Sequence, residues 1–356
     1  MDCILVTGGA GFVGSSLALG LRHHYPRARI VALDNLKRRG SELNLPRLRA
    51  AGVEFVHGDI RNGEDLAAAG PFDIMLECSA EPSVLAGYDG SPAYVIDTNL
   101  LGAVNCFEQA RKHGAGVIFL STSRVYPIKA LSSLQYHVEG DRFALDEEQP
   151  LPGASPAGVS EDFPVHGARS MYGATKLCSE LLLQEYRDMY NLPYIVNRCG
   201  VIAGPWQMGK VDQGVVVLWA ARHVYGGELE YIGYGGKGHQ VRDILHPGDL
   251  LELVLHQIER LDTLSGELFN VGGGREVSIS LRELTALCAS ASGQEIRIRG
   301  NPETRAADVP VYLSDCRRVN ERTGWRPRFR AEDIVNEIVT WLREHEKDLR
   351  PILAPE

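Results

Sequence analysis

In the first half of the chain, short apolar runs alternate with longer stretches in which apolar residues recur every three or four positions. The short runs predict buried strands, and the longer stretches predict amphipathic helices. Strands that alternate with helices build a parallel sheet covered on both faces, so we predict an α/β fold with a doubly wound parallel sheet. The predicted strands are Cys3–Thr7, Ile30–Leu33, Glu54–His57, Asp73–Glu77, Val117–Ser121 and Tyr194–Arg198, and the predicted helices are Phe12–His23, Asp97–His113 and Met171–Tyr190.

The pattern changes beyond the first 126 residues. Residues 127–167 contain several Pro, Gly and Ser residues with clustered acids, which predicts a long loop. Farther along, the predicted helices are residues 213–225, Pro247–Leu261, Leu281–Ala291, Asp315–Thr323 and Ala331–Glu346, and the predicted strands are Leu268–Val271 and Glu295–Arg299. We expect one large domain of residues 1–198 with 244–272, a smaller C-terminal substrate-binding lobe of residues 199–243 and 273–330, and a helix and tail of residues 331–356.

The overall composition excludes several classes of protein. The 356 residues carry a formal net charge of -9, whereas a nucleic-acid-binding surface needs clustered Lys and Arg. No apolar run is long enough to span a membrane, and the first residues show no features of a secretory signal. The seven cysteines are scattered and odd in number, which indicates reduced thiols in the cytoplasm. We therefore expect neither a disulfide framework nor a metal site.

A glycine-rich loop, Thr7–Gly14, follows the first strand and opens the first helix, which is the setting of a dinucleotide-binding loop. Glycine permits the tight turn and lets the backbone approach a pyrophosphate, and the helix N-terminus attracts its negative charge. The expected contacts are Gly8, Gly11, Phe12, Val13 and Gly14. The sheet is then of the Rossmann type.

Asp34, 20 positions beyond Gly14 at the end of the second strand, can accept hydrogen bonds from the adenosine ribose and would repel a 2′-phosphate. This favours NAD, although Lys37, Arg38 and Arg39 leave NADP open. Further expected cofactor contacts after the strands are Asn35, Asp59, Ile60 and Ala80. Asp59 could equally cap the following helix.

Tyr172 and Lys176 stand four residues apart, on one face of the helix predicted over Met171–Tyr190. A phenol with a reference pKa of about 10 is a poor base, but a nearby ammonium and an oxidised nicotinamide both favour the phenolate. Thr122, at the end of the fifth strand, could donate a hydrogen bond to the same substrate oxygen. Taken alone, a Tyr and a Lys at this spacing are usually a surface pair.

Together, the glycine loop, Thr122, Tyr172 and Lys176 resemble the extended short-chain dehydrogenase/reductase family of NAD-dependent epimerases and dehydratases, over nearly the whole chain. The resemblance implies that Tyr172 is the acid and base, that Lys176 orients the cofactor ribose and tunes Tyr172, and that Thr122 holds the reacting oxygen. It also implies that Asn99 lies near the cofactor, although Asn99 could be an ordinary polar helix position. Members of this family are usually dimers, so we expect a homodimer or homotetramer, with the helices at Asp97–His113 and Met171–Tyr190 pairing across the interface.

Within that family, 4,6-dehydratases carry an Asp-Glu pair directly after the catalytic Thr. Here the two positions are Ser123 and Arg124, which argues against dehydration and leaves oxidation and reduction as the chemistry. Val201 stands where many UDP-sugar 4-epimerases have a substrate-binding Asn, which weakens that assignment.

Several later segments are similar to CDP-tyvelose (CDP-paratose) 2-epimerases: residues 212–214, 240–246, 269–274 and 305–315. The similarity implies that Arg242 and Arg305 clamp a nucleotide diphosphate. The remaining expected substrate contacts are Thr122, Ser123, Arg124, Lys210, Gln213 and Asp308. Alternatively, the two arginines form surface ion pairs with Asp243 and Asp308, and Asp212 and Gln213 cap the next helix.

The resemblance thus implies an NAD-dependent epimerase that acts on a nucleotide-diphosphate sugar, with a CDP-sugar favoured, through a transient 2-keto sugar. An epimerase or dehydrogenase that acts at another carbon of a different nucleotide sugar is the first alternative. A non-catalytic NAD-binding protein is the second.

Overall fold

The computed structural model describes residues 1–88, 90–209 and 213–354. The chain divides into two compact units. The first consists of Met1–Val125, Ser170–Cys199 and Pro247–Phe269, and the second of Tyr126–Arg169, Gly200–His246 and Asn270–Glu356.

The strands β1 to β17 are, in chain order, Cys3–Thr7, Arg29–Asp34, Glu54–His57, Ile74–Glu77, Gly116–Thr122, Tyr136–Glu139, Arg142–Leu145, Ala154–Ser155, Gly158–Val159, Tyr194–Cys199, Val201–Ile202, Leu229–Ile232, Val241–Leu245, Leu268–Val271, Ser278–Ser280, Ile298–Asn301 and Val311–Tyr312. The helices α1 to α14 are Phe12–His24, Leu45–Ala50, Gly63–Ala67, Ala93–Ile96, Gly102–His113, Ile128–Ser132, Met171–Tyr190, Val215–Tyr225, Pro247–Glu259, Leu261–Leu264, Leu281–Ser292, Arg317–Thr323, Ala331–Glu344 and Glu346–Leu353. Within the described part of the chain, none of the helices combines the length and apolar character needed to cross a bilayer.

The first unit is built on a seven-stranded sheet with the order β14-β10-β5-β4-β1-β2-β3. The ladders from β10 to β3 are parallel. This confirms the predicted Rossmann-type, doubly wound sheet, and the six strands predicted for the first half of the chain are all present. In a parallel sheet the strand ends that carry ligands share one edge, so Thr7, Asp34, Glu77 and Thr122 close their strands on the same side.

Helix α7 is held against this sheet by apolar and ionic contacts. Phe107 of α5 packs edge-on against Phe119 of β5 and Tyr186 of α7, with ring centroids 5.8 and 5.9 Å apart. Glu180 of α7 forms a buried ion pair with Arg198 of β10, at 2.7 Å between Oε2 and Nη2. Removing one partner of such a pair typically costs about 3–5 kcal/mol, so these contacts fix where the first turns of α7 lie.

The helix predicted over Asp97–His113 is not a continuous α-helix. Helix α4 runs into a π-helical turn at Asp97–Leu101, and α5 begins only at Gly102. A π turn inserts one residue into the helical repeat and is frequent at functional sites. The apolar spacing that predicted the helix continues across the turn, which is why the sequence pattern did not reveal it.

The prediction of a long loop over residues 127–167 was wrong. The segment contains α6, the hairpin β6–β7 and the small hairpin β8–β9. Along β7, Phe143 and Leu145 are buried while their neighbours are less so, and the turn into β7 carries Gly140 at φ 59°. An alternating run next to a Gly-Asp turn is a hairpin signal that the Pro and Gly content obscured.

The second unit includes this segment, which the predicted division assigned to the first domain. The Phe143 N–H donates to the His239 carbonyl at 2.9 Å, and the Val159 N–H donates to the Leu313 carbonyl at 2.8 Å. The rest of the second unit is built on a sheet of β11, β13 and β15 with β17 beside β13, and on the pair β12–β16.

Candidate active site

The glycine loop joins β1 to α1 by a turn that only glycine can form. Gly8 has φ 63°, and a Cβ added at Gly14 would lie 2.1 Å from the Gly8 carbonyl oxygen. Gly11 precedes α1 in an extended conformation and provides no side-chain cap. The first-turn N–H groups of a helix have no acceptor within it, and Phe12 and Val13 contribute them here. This uncapped start fits a pyrophosphate group.

Asp34 connects the end of β2 to this loop. Its Oδ1 accepts from the Leu36 N–H at 2.8 Å and its Oδ2 from the Ala10 N–H at 3.1 Å. Burial raises the pKa of the Asp34 carboxyl, and the backbone hydrogen bonds from Leu36, Ala10 and Gly11 oppose that rise. A carboxylate has about four acceptor positions, so these three bonds leave it able to accept one more hydrogen bond, from a ribose hydroxyl.

Asn35 and Asp59 lie together at the ends of β2 and β3. The Asn35 Nδ2 donates to Asp59 Oδ2 at 2.8 Å. The Arg61 guanidinium holds the pKa of the Asp59 carboxyl well below its usual range. The cap of the following helix α3 is Asn62, whose side chain accepts from the Glu64 N–H, so the alternative that Asp59 caps that helix was wrong.

Asn99 lies inside the π turn and is 1% exposed. Its Oδ1 accepts from the Glu81 N–H at 2.8 Å and its Nδ2 donates to the Glu81 carbonyl at 3.0 Å. Both ends of the amide therefore hold the segment that follows β4, which contains Ala80. Asn99 is not an ordinary polar helix position.

The three residues predicted to do the chemistry lie in the first unit. Thr122 is the last residue of β5, and a 3₁₀ turn carrying Ser123 and Arg124 follows it. The Thr122 hydroxyl accepts from the Arg124 N–H at 3.2 Å and is hydrogen-bonded to the phenol of Tyr172. Ser170 caps α7 through its hydroxyl, so Tyr172 and Lys176 occupy the first two turns.

Burial raises the pKa of the Tyr172 phenol above its ordinary value of 10.0, while the Lys176 charge and the Thr122 hydrogen bond lower it. The charge of Arg124 acts in the same direction as that of Lys176. The phenol is therefore a base only when further positive charge or a favourable proton transfer supports it.

Lys176 is not a surface residue, since only 2% of it is exposed. Its Nζ lies 3.1 Å from the Glu77 Oε2, 3.4 Å from the Ser79 carbonyl oxygen and 4.4 Å from the centroid of the Phe119 ring. Burial is the largest influence and lowers the pKa of the Lys176 ammonium, but the charge and hydrogen bond of Glu77, together with Tyr172 and Cys78, outweigh it, so the pKa is raised.

The sequence reasoning did not find Glu77. The available signal was a single acid that ends the otherwise apolar strand β4, at the sheet edge where ligands bind.

The predicted substrate contacts of the second unit are more scattered. Arg242 of β13 forms an ion pair with Asp308, at 2.7 Å between Nη2 and Oδ1, and also donates to the Val309 carbonyl. Arg305 is exposed, and its carbonyl accepts from the Asp308 N–H. Gln213 is partly buried, whereas Lys210 and Asp212 lie outside the described residues.

Next to Arg242, Asp243 is a fully buried acid within the second unit. Its Oδ2 accepts from the Ser314 N–H at 3.1 Å and from the Gly274 N–H at 3.3 Å. A Cβ added at Gly272 would lie 2.0 Å from that oxygen. The carboxyl thus anchors the segment after β14, and it is not a surface partner for Arg242.

Residues 4–272 match the model of the NAD dependent epimerase/dehydratase family. The chain is 28% identical over 347 residues to CDP-paratose 2-epimerase from Salmonella typhi, covering 95% of this chain and 98% of that protein.

Two solved structures share the fold over nearly their full length. UDP-glucose 4-epimerase from Thermotoga maritima, solved with UDP-glucose, is 25% identical with a TM-score of 0.76, covering 96% of this chain and 99% of that one. A double mutant of dTDP-glucose 4,6-dehydratase from Streptomyces venezuelae, solved with NAD, is 26% identical with a TM-score of 0.79, covering 98% of this chain and 99% of that one.

The buried carboxyl of Asp243 predicts how stability changes with pH. Burial raises its pKa from 3.8 to about 6, so the folded state binds this proton more tightly than the unfolded state does. That contribution is complete below about pH 4 and is lost as the pH rises through about 6. We expect the free energy of unfolding of the native protein to fall by about 2 kcal/mol relative to Asp243→Asn between pH 4 and pH 7.

Urea unfolding of both proteins across this pH range measures the difference. Exposed Asp188 provides the control, since Asp188→Asn should follow the native protein. Parallel pH curves for the native protein and Asp243→Asn would contradict the prediction.

Proposed function

Because this chain belongs to the NAD dependent epimerase/dehydratase family, and NAD is accordingly its cofactor, we propose that it is a nucleotide-sugar epimerase that inverts carbon 2 of a CDP-sugar. The two epimers would be CDP-paratose and CDP-tyvelose. The observation that carries the proposal is the group formed by Thr122, Tyr172 and Lys176 at the sheet edge, with no carboxylate at the two positions after Thr122.

In the proposed reaction, Tyr172 removes the proton from the sugar's 2-hydroxyl, and Thr122 donates a hydrogen bond to the same oxygen. When bound, NAD supplies the hydride acceptor for carbon 2 and then the hydride donor. The resulting 2-keto sugar turns in the site, and Tyr172 returns the proton to the oxygen when the opposite face is reduced. Lowering the phenol pKa by about three units requires roughly 4 kcal/mol, and the positive charge of Lys176 contributes to this.

Dehydration would need an acid and a base on the sugar in addition to Tyr172. The side chains after Thr122 are a hydroxyl and a guanidinium, neither of which is a proton acceptor at neutral pH. Arg124 instead adds positive charge that favours the phenolate. The proposed chemistry is therefore limited to oxidation and reduction at one carbon.

The cofactor would lie along the sheet edge formed by the carboxyl ends of the strands. We assign the pyrophosphate to the uncapped start of α1, with contacts from Gly8, Gly11, Phe12, Val13 and Gly14, and the adenosine ribose to Asp34. The Asn35–Asp59 pair and Ile60 would face the adenine, and Ala80 and Asn99 would face the nicotinamide side with Tyr172 and Lys176. The supporting features are the loop geometry and the hydrogen bonds of Asp34, Asp59 and Asn99.

The nucleotide diphosphate of the substrate would be clamped by Arg242 and Arg305. The Asp308 carboxylate and the Val309 carbonyl orient the Arg242 guanidinium, which suits a planar donor that binds phosphate oxygens in pairs. The further proposed sugar contacts are Thr122, Ser123, Arg124, Lys210, Gln213 and Asp308.

We also propose a homodimer or homotetramer in the cytoplasm. Leu101 beside α5 and Leu181 and Met189 of α7 are apolar residues between 52% and 63% exposed, which suits a helix-to-helix interface between copies of the chain. All seven cysteines are free thiols, in agreement with a reducing compartment.

The second candidate function is a UDP-sugar 4-epimerase, favoured by the likeness to the solved UDP-glucose 4-epimerase. Val201 disfavours it, because a valine side chain cannot replace the amide expected at that position. A non-catalytic NAD-binding protein is disfavoured by the assembled Thr122, Tyr172 and Lys176.

Tyr172→Phe removes the hydroxyl that exchanges the proton and keeps the ring. We expect NAD to remain bound and the turnover number to fall by at least about 10²- to 10⁴-fold. Exposed Tyr190 on the same helix gives the matched control, so Tyr190→Phe should turn over like the native enzyme. Unchanged turnover of Tyr172→Phe would exclude Tyr172 as the acid and base.

Carbon-2-deuterated CDP-paratose tests which carbon reacts. Since the same cofactor takes and returns the hydride, we expect the deuterium to stay on carbon 2 of the epimerised product, as detected by NMR and mass spectrometry. Stoichiometric consumption of added NAD would identify a dehydrogenase instead, and absence of any product would refute the CDP-paratose assignment.

Thermal shift with CDP, UDP, GDP and dTDP tests the nucleotide. A ligand that binds the native state raises its melting temperature by mass action, so we expect CDP to give the largest shift. A larger shift with UDP would favour the second candidate function.

A further inference from the structure

The Glu77 carboxylate, which forms an ion pair with Lys176, is hydrogen-bonded at both of its oxygens. Glu77 is fully buried at the end of β4, where the ladder pairs it with Thr7 on one side and Phe119 on the other. Its Oε1 accepts from the Ser79 N–H at 2.9 Å, which leaves Oε2 directed at the Lys176 Nζ at 3.1 Å. The carboxylate therefore cannot move away from the ammonium without losing a second hydrogen bond.

A buried ion pair by itself indicates only packing, and α7 has a second one that serves as a comparison. Glu180 and Arg198 are equally buried, and Glu180 also accepts from the Ser121 hydroxyl. Lys176 is among the strongest influences on the pKa of the Tyr172 phenol, and that pair is not. The two pairs differ in what their charges can influence.

A fully buried lysine without a negative partner loses its proton easily, with a pKa lowered by up to about 3–5 units. The groups that act most strongly on the Lys176 charge are Glu77 on β4, Tyr172 on its own helix and the Cys78 thiol after β4. Burial raises the pKa of the Cys78 thiol well above its ordinary value, so this group is neutral. Glu77 is the partner that carries a full negative charge while Tyr172 is still protonated.

We propose that Glu77 is a positioning residue for the reaction: its carboxylate keeps the Lys176 ammonium protonated and fixed at the sheet edge, where the ammonium favours the Tyr172 phenolate and can orient the cofactor ribose. The inference rests on the proposed function insofar as it gives Tyr172 the acid and base role. Glu77 does not touch the reacting atoms, and it acts through Lys176.

A variant that removes only the charge tests this inference. Glu77→Gln keeps the size of the side chain, but the buried Lys176 then loses its proton at a lower pH. We expect the alkaline limb of the pH profile of kcat/KM to move down by at least about one pH unit, because the state with phenolate and ammonium together is lost earlier. A purely structural role would lower the amount of folded enzyme and leave that limb in place.

A second readout does not depend on turnover. NAD retained per chain after gel filtration, measured by absorbance, should be similar for the native enzyme at pH 7 and pH 9.5. For Glu77→Gln it should fall at least about threefold at pH 9.5 and stay near the native level at pH 7. Failure of the proposed function, seen as unaltered turnover of Tyr172→Phe, would leave this readout interpretable.

Two further variants complete the design. Glu180→Gln breaks the other buried pair of α7 and should lower the melting temperature without moving the alkaline limb. Glu77→Asp keeps the charge, so it should fold even where Glu77→Gln does not, and its shorter reach should move the limb part of the way. The proposal would be overturned if Glu77→Gln left both the alkaline limb and the NAD retention unchanged. If Glu77→Gln does not fold, the same result in Glu77→Asp would overturn it.

Discussion

A charge that is removed from water must find a partner inside the protein, and this requirement determines how α7 lies on the sheet. Lys176 and Glu180 are one turn apart on the buried face of α7, and each is paired with a charge on a different strand, Glu77 of β4 and Arg198 of β10. Leaving either charge unpaired would cost several kcal/mol. Two ion pairs therefore restrict the position of α7 along the sheet, one in which the helix contributes the positive charge and one in which it contributes the negative charge. As a result, Tyr172 lies at the end of β5.

Much of the first unit could be predicted because its signals are local. Apolar runs such as β1 and β5 are buried on both faces of the sheet, so they read as continuous hydrophobic segments. The glycine loop combines a strand, a tight turn and a helix within a dozen residues. The π turn at Asn99 was missed because the apolar spacing continues across it and resembles that of a continuous α-helix. The hairpin β6–β7 was missed because the Pro and Gly residues around it resemble those of a loop.

The partners of the site residues could not be predicted in the same way. Glu77 and Lys176 are 99 positions apart, and no spacing rule connects a strand end to a helix so distant in the chain. The Asn99 side chain, which lies in the π turn, likewise contacts the backbone of Glu81, 18 positions earlier in the chain. In the proposed function, the choice among nucleotide sugars would depend on side chains of the second unit, where the sequence offers single residues such as Arg242 rather than motifs with a fixed geometry.

The close approach of Gly272 to Asp243 has a consequence for how such a chain can change over time. With only 2.0 Å between the Asp243 oxygen and the place where a Cβ would stand, a side chain at position 272 requires that the acid first be replaced or displaced. Replacing the acid first removes an acceptor from the Ser314 and Gly274 N–H groups. Each single step is unfavourable, so the two positions are expected to vary together or not at all. Divergence of this unit toward other substrates would then proceed at the residues around the pair.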